Sequence, residues 1–137
     1  TGTLETLAAN CGVSDRVRFA GPVHGAEKWR LVRGACIFAM PSYSENFGNS
    51  ALEAMACGVP VVVTPEVGLS TAIAAAGAGI VCDGDPSTLG SELAALCADP
   101  ARRKALGLAG VKSAAETFSW ESIARAFGQA YASLNRK

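Results

Sequence analysis

Charge is scarce in this sequence, histidine almost absent, and no stretch is long and apolar enough to cross a membrane. Asp, Glu, Lys and Arg make up 18% of the 137 residues, against about 25% in ordinary soluble domains. Abundant alanine accounts for part of the deficit; a covered face would account for the rest. The 12 basic and 12 acidic residues cancel, so no footprint for nucleic acid is expected. His24, the only histidine, cannot build a catalytic triad by itself. Cys11, Cys36, Cys57, Cys82 and Cys97 form no C-x-x-C pair and no metal-ligand spacing, so no metal is expected. Cys36, Cys57 and Cys82 sit in apolar stretches, where inert buried thiols are usual. No apolar run approaches the ~20 residues of a membrane span and no secretory leader is visible, so the expected compartment is the cytoplasm. There is no repeat or low-complexity tract. The length suits one domain with its own core.

What is present is an alternation of helix and strand. The pattern predicts helices over 3–10, 27–32, 48–57, 70–76, 87–98, 101–116 and 120–134, and strands over 17–20, 35–40, 59–64 and 80–82. Asp85-Pro86 opens one helix, with Asp as the cap and Pro in the first position. All-apolar strands between helices indicate an α/β fold, a Rossmann-like parallel sheet covered by helices on both faces. Ligands of such sheets bind beyond the carboxyl ends of the strands.

Two glutamates mark that edge. Glu45 and Glu53 lie in the run PSYSENFGNSALEAMACGVPVVVT over 41–64. Glu45 precedes a helix, where the positive end of the macrodipole favours an anion. The amides of Phe47, Gly48, Asn49 and Ser50 are expected to be free there, and such a helix mouth suits phosphate. Gly48 has no Cβ and lets backbone approach a ligand. Glu53 is the only charge in its helix, roughly 7–8 Å further along the axis. A carboxylate among Ala, Leu, Met and Cys is costly to bury unless something hydrogen-bonds it. A ligand with hydroxyls at both ends and phosphate between fits this order, as in a nucleoside diphosphate sugar. Each acid alone has a blander reading, Glu45 as a dipole charge and Glu53 as a partly exposed face.

The block resembles the donor-binding signature of the retaining GT-B glycosyltransferases of group 1. Those proteins carry E-x7-E after a P-S turn, with F-G behind the first Glu and E-A-M-A-x-G-x-P-V-V at the second. Here these are Pro41-Ser42, Glu45, Phe47-Gly48, Glu53-Ala54-Met55-Ala56, Gly58 and Pro60-Val61-Val62. The likeness extends to Val17-Arg18-Phe19-Ala20-Gly21 and to Phe118-Ser119-Trp120-Glu121, nearly the whole chain. It implies the C-terminal, donor-binding half of a GT-B fold lacking its first strands, over residues 1–137. By position, Glu45 would be the catalytic residue holding the transferred sugar. Glu45, Asn46, Phe47, Gly48 and Asn49 would meet sugar and diphosphate, and Glu53 the ribose. Gly21, Pro22 and Val23 would lie against the nucleobase, with His24 beside them. The implied reaction moves a hexose from a nucleotide sugar to an acceptor hydroxyl with retention, using no metal or other cofactor. The acceptor, a glycan or lipid, would sit on an N-terminal domain not contained in this sequence.

Two departures bear on that expectation. Relatives begin the donor half with two strands, the first carrying an Arg-Lys pair for the diphosphate; this sequence starts about where the second would end. A strand over 17–20 would then lack its neighbour, and a longer parent protein is expected. Val67-Gly68-Leu69-Ser70-Thr71 stands where relatives often have G-G-x-x-E, beside the donor sugar. The competing readings are a non-catalytic nucleotide-sugar-binding module and an unrelated α/β signalling domain. Gly77-x-Gly79 is in the wrong order for a dinucleotide loop, and Asp83 with Asp85 reads as turn and cap rather than a phospho-acceptor pocket. Arg102-Arg103-Lys104 reads as a solvated helix face, though such a patch can also hold a peripheral enzyme to anionic lipid. Phe118 and Trp120 are expected to anchor the last helix.

Overall fold

The computed structural model describes residues 2–134, which fall into two compact units divided between Arg30 and Leu31. In chain order the elements are α1 (Gly2–Asn10), a 3-10 turn (Ser14–Arg16), α2 (Gly25–Gly34), β1 (Phe38–Met40), α3 (Asn49–Ala56), β2 (Val61–Val63), α4 (Ser70–Ala76), β3 (Gly79–Val81), α5 (Pro86–Ala98), α6 (Pro100–Thr117) and α7 (Trp120–Leu134). Every expected helix forms, with ends shifted by at most two residues; β1 and β2 form as shorter cores of the expected runs, and β3 keeps the expected length one residue earlier.

In the first unit the expected strand over 17–20 is absent. Val17 has extended backbone, φ −110° and ψ 126°, but an extended segment becomes a strand only when a neighbour shares its amides and carbonyls. No ladder partner lies alongside it among the described residues. Val17 and Phe19 are left 40% and 39% exposed, and Leu4 and Leu7 on α1 57% and 56%.

The second unit is built on a parallel sheet of order β1-β2-β3. Phe38 pairs with Val61 and Val61 with Gly79, and the register continues to Met40, Val63 and Val81. Side chains alternate along a strand, yet all three valines of β2 are buried, so the middle strand is covered on both faces. Val61 and Val63 join Met55, Ala51, Leu69 and Ile73 in the core. Gly79 is required where β3 meets β2, because a Cβ there would lie 2.4 Å from the Val61 carbonyl oxygen. α3 packs on β1 and β2, α4 on β3, and α6 on both helices.

Helix ends follow their local sequence. α3 is made of strong helix formers and stops in a Schellman turn: the Gly58 amide donates to the Met55 carbonyl at 2.9 Å and the Val59 amide to that of Ala54 at 3.0 Å. Gly58 takes φ +77°, open to glycine at little cost. Asp85 caps α5 as expected, accepting the Ser87 and Thr88 amides at 3.0 Å each. Asp99 caps α6 through the Arg102 amide at 2.8 Å.

Three expectations about side chains change. Cys36, just before the edge strand β1, is exposed rather than buried, and Cys57 at the end of α3 and Cys82 just after β3 are only half-buried. Trp120 is 87% exposed; the chain turns at Ser119, and Phe118 alone reaches the core. Arg103 is no free surface charge, since its Nη1 donates to the carbonyls of Leu96 and Cys97 at the end of α5.

The tightest packing is between α3 and α6. Gly107, Gly110 and Ser113, three residues apart, are buried along α6. A Cβ at Gly107 would fall 2.2 Å from the Gly58 carbonyl oxygen, and one at Gly110 would lie 3.3 Å from the Met55 Cβ. α6 therefore passes the end of α3 at Gly107 and from there runs back towards its beginning. Gly107→Ala is expected to cost about 1–3 kcal/mol through overpacking. Gly90→Ala on α5, where a Cβ meets nothing within 4 Å, is expected to gain about 0.5–1 kcal/mol. Urea unfolding of the two variants checks the contrast.

Candidate active site

The loops after β1 and β2 leave the carboxyl edge of the sheet and are sewn together. Glu45 and Val67 form an isolated parallel bridge. The Glu45 amide donates to the Glu66 carbonyl at 3.2 Å, the Gly68 amide to that of Glu45 at 2.9 Å, and the Leu69 amide to that of Phe47 at 2.9 Å. Thr64, buried at the end of β2, donates its hydroxyl to the Ser42 carbonyl at 2.5 Å. Gly68 makes the closest approach: a Cβ would lie 2.1 Å from the Asn46 carbonyl oxygen. The run Val67-Gly68-Leu69 is thus a structural seam. Val67, where relatives often carry the first of two glycines, is fully buried and belongs to the core.

Glu45 is half-buried at the mouth of α3. Its Oε1 accepts the amides of Phe47 at 3.3 Å and Gly48 at 3.2 Å. Two of the four amides expected to be open are therefore taken by the first glutamate, as the helix dipole favours. Those of Asn49 and Ser50 donate to no backbone carbonyl or side chain among the described residues. Gly48 has φ +98°, and a Cβ there would lie 2.8 Å from Val67 Cγ1. Its backbone and the seam thus require glycine independently of any ligand.

Asn46 and Asn49 are exposed. Glu53, half-buried, lies four residues after Asn49 and so shares its side of α3. Phe47 is 37% exposed, and its ring meets that of Phe118 edge-on, with centroids 5.8 Å apart and planes at 70°. Glu45, Asn46, Phe47, Gly48, Asn49 and Glu53 are thus brought onto one loop and helix. Gly21, Pro22 and Val23 belong to the first unit, where Gly21 has φ +66° and Val23 is half-buried.

Sequence reasoning passed over the cleft beyond the three strand ends. It measures about 380 Å³ and is bordered by Ser42, Tyr43, Thr64, Glu66 and Asp85. Tyr43 is 94% exposed. The available signal was position, since each residue follows a strand on its carboxyl side. Asp85 is committed to capping, and hydrogen bonds from Thr88 hold its carboxyl below the usual range. Burial, and then the charges of Glu92, Asp83 and Asp85, push the nearby Cys82 thiol up, away from the reactive thiolate.

The family model described as glycosyl transferases group 1 matches residues 2–113. The chain belongs to the group 1 glycosyltransferases. Among relatives of this group 1 chain, a D-inositol 3-phosphate glycosyltransferase of Streptomyces bingchenggensis is 41% identical over 134 residues, covering 97% of the chain and 29% of the relative. A protein of the same name from Salinispora tropica is 44% identical over 119 residues, covering 86% of the chain and 24% of the relative. Among solved structures, sucrose-phosphate synthase from Thermosynechococcus elongatus superposes with a TM-score of 0.84 at 33% identity, covering 97% of this chain and 34% of that one. WaaG, a glycosyltransferase involved in lipopolysaccharide biosynthesis, gives 0.73 at 28% identity, covering 82% and 30%. The group 1 chain has the α/β fold of GT-B glycosyltransferases and spans about a third or less of these proteins. No described helix is long and apolar enough to cross a membrane.

In this group 1 chain the seam between the loops is expected to hold Glu45 in place. Gly68→Ala should cost about 1–3 kcal/mol. It should also raise amide hydrogen exchange at Phe47 and Gly48 more than at Val62 in the middle strand.

Proposed function

We propose that this chain is the donor-binding part of a retaining glycosyltransferase that moves a hexose from a nucleoside diphosphate sugar to an acceptor hydroxyl. The observation that carries this is the seating of the Glu45 carboxylate on the amides at the mouth of α3, with Glu53 further along the same helix. Such a mouth favours an anion. In this reading the diphosphate meets the open amides of Asn49 and Ser50, with Asn46 beside it. Glu45 holds the sugar hydroxyls and Glu53 the ribose diol.

Catalysis would rest mainly on electrostatics. As the bond to the anomeric carbon breaks, negative charge builds on the leaving diphosphate, where the helix dipole and fixed amides are already aimed. Glu45 would orient the sugar for attack from the face the diphosphate leaves, and the leaving phosphate would take the acceptor's proton. Retention follows from that geometry, and no metal or further cofactor is needed. The acceptor is a hydroxyl of a glycan, a lipid or, following the relatives' name, an inositol phosphate, held on an N-terminal domain. The cytoplasm supplies nucleotide sugars and is the proposed compartment.

Calorimetric titration with UDP, GDP and ADP tests the reading. One of the three is expected to bind, and Glu53→Gln to weaken it by about 1.5–3 kcal/mol, roughly ten- to hundredfold in Kd. A folded chain that binds none of them, or binds equally well as Glu53→Gln, would overturn it.

A further inference from the structure

Phe118 lies far from the glutamates in sequence, yet its ring is set against the loop that carries Glu45. α6 runs back along α3, and its register is locked by the close approaches at Gly107 and Gly110. Its last turn still binds residue 118, whose amide donates to the Ala114 carbonyl at 3.2 Å. On the other side Ser119 caps α7, accepting the Ser122 amide at 3.2 Å. The Ser122 hydroxyl in turn donates to the Glu116 carbonyl at 2.7 Å. Phe118 is thus clamped at the joint of two helices, half-buried against the core, with one edge-to-face aromatic contact, to Phe47. A centroid distance of 5.8 Å falls within the attractive range for such pairs.

Phe47 is where a ring can control the site. Its amide donates to Glu45 Oε1, and its carbonyl accepts the Leu69 amide across the seam. A backbone rotation at Phe47 would break both bonds and leave the Glu45 carboxylate held at the mouth of α3 by the Gly48 amide alone. We propose that Phe118 is a positioning residue for the donor site: through the Phe47 ring it holds the loop from Glu45 to Gly48 in the geometry that meets the donor phosphate and sugar. This rests on the donor-site reading above. Phe118 touches no substrate in this scheme. Its contribution is to order the loop before the ligand arrives, so that binding need not do so.

The bland alternative is that Phe118 only fastens the start of α7, and hydrogen exchange separates the two. Phe118→Leu keeps an apolar side chain in the core but removes the aromatic edge. Exchange at the Phe47 and Gly48 amides is expected to quicken about two- to tenfold, the range of an aromatic pair, with Val62 unchanged. The Kd for whichever of UDP, GDP or ADP the chain binds should rise by a similar factor. Phe47→Leu should act alike, and the double variant should be no worse than either single one. Equal acceleration at Val62, additive single effects, or exchange at Phe47 and Gly48 unaltered in Phe118→Leu would overturn the inference. A chain that binds no nucleotide would instead overturn the donor reading, while the exchange measurements would still report whether the two rings hold the loop. Should Phe118→Leu fail to fold, Phe47→Leu alone, read at Gly48 against Val62, carries the same test.

Discussion

The close contact of α6 with α3 is the constraint on which this unit depends. Glycine at 107 lets a helix backbone pass beside the carbonyl of Gly58, and any larger residue would force the two apart. The gain is dispersion spread over many atoms at short range, and the loss on separation would not stay local. α3 covers β1 and β2, so its position sets the thickness of the core on that face. α6 carries its register along α3 and delivers Phe118 to Phe47. One steric requirement at the end of α3 is thereby linked to the geometry at its beginning.

A second close approach governs the site itself. Gly68 brings the loop after β2 against the backbone of Asn46, and the bridge between Glu45 and Val67 extends the pairing beyond the strands. The strands are three residues each, too short to hold long loops by themselves. The seam supplies the missing order. It also explains why Glu45 can stay half-buried as a carboxylate: two amides receive its charge, and the helix dipole favours it there. The same residue that finishes the helix mouth is the one proposed to hold the donor sugar.

Much of this was legible from the chain. Alternating apolar runs predicted the helices and the parallel strands, and the Asp85-Pro86 pair predicted a cap that forms as read. Glu45, Asn46, Phe47, Gly48 and Asn49 are contiguous and Glu53 lies one helical turn further on, so local geometry alone keeps them together. The failures are those of partnership. The apolar pattern at 17–20 read as a strand, but a strand depends on a neighbour that no local pattern can supply. Cys36 was read as buried from its apolar context, although exposure at a sheet margin depends on how many strands lie beyond it. Trp120 looked like an anchor by size, and the turn at Ser119 sent it into solvent.

What the sequence by itself determined was therefore the set of elements and the local site: helix starts and stops, the glycines at turns, and a carboxylate before a helix mouth. These depend on interactions within a few residues, which any stretch carries with it. Only the tertiary structure decided why Gly68 and Gly107 must be glycine, how the two strand-end loops share their amides, and that Phe118 faces Phe47. Those features come from segments far apart in the chain meeting at van der Waals distance. Their geometry follows from the packing of whole helices, and no short window of sequence contains it.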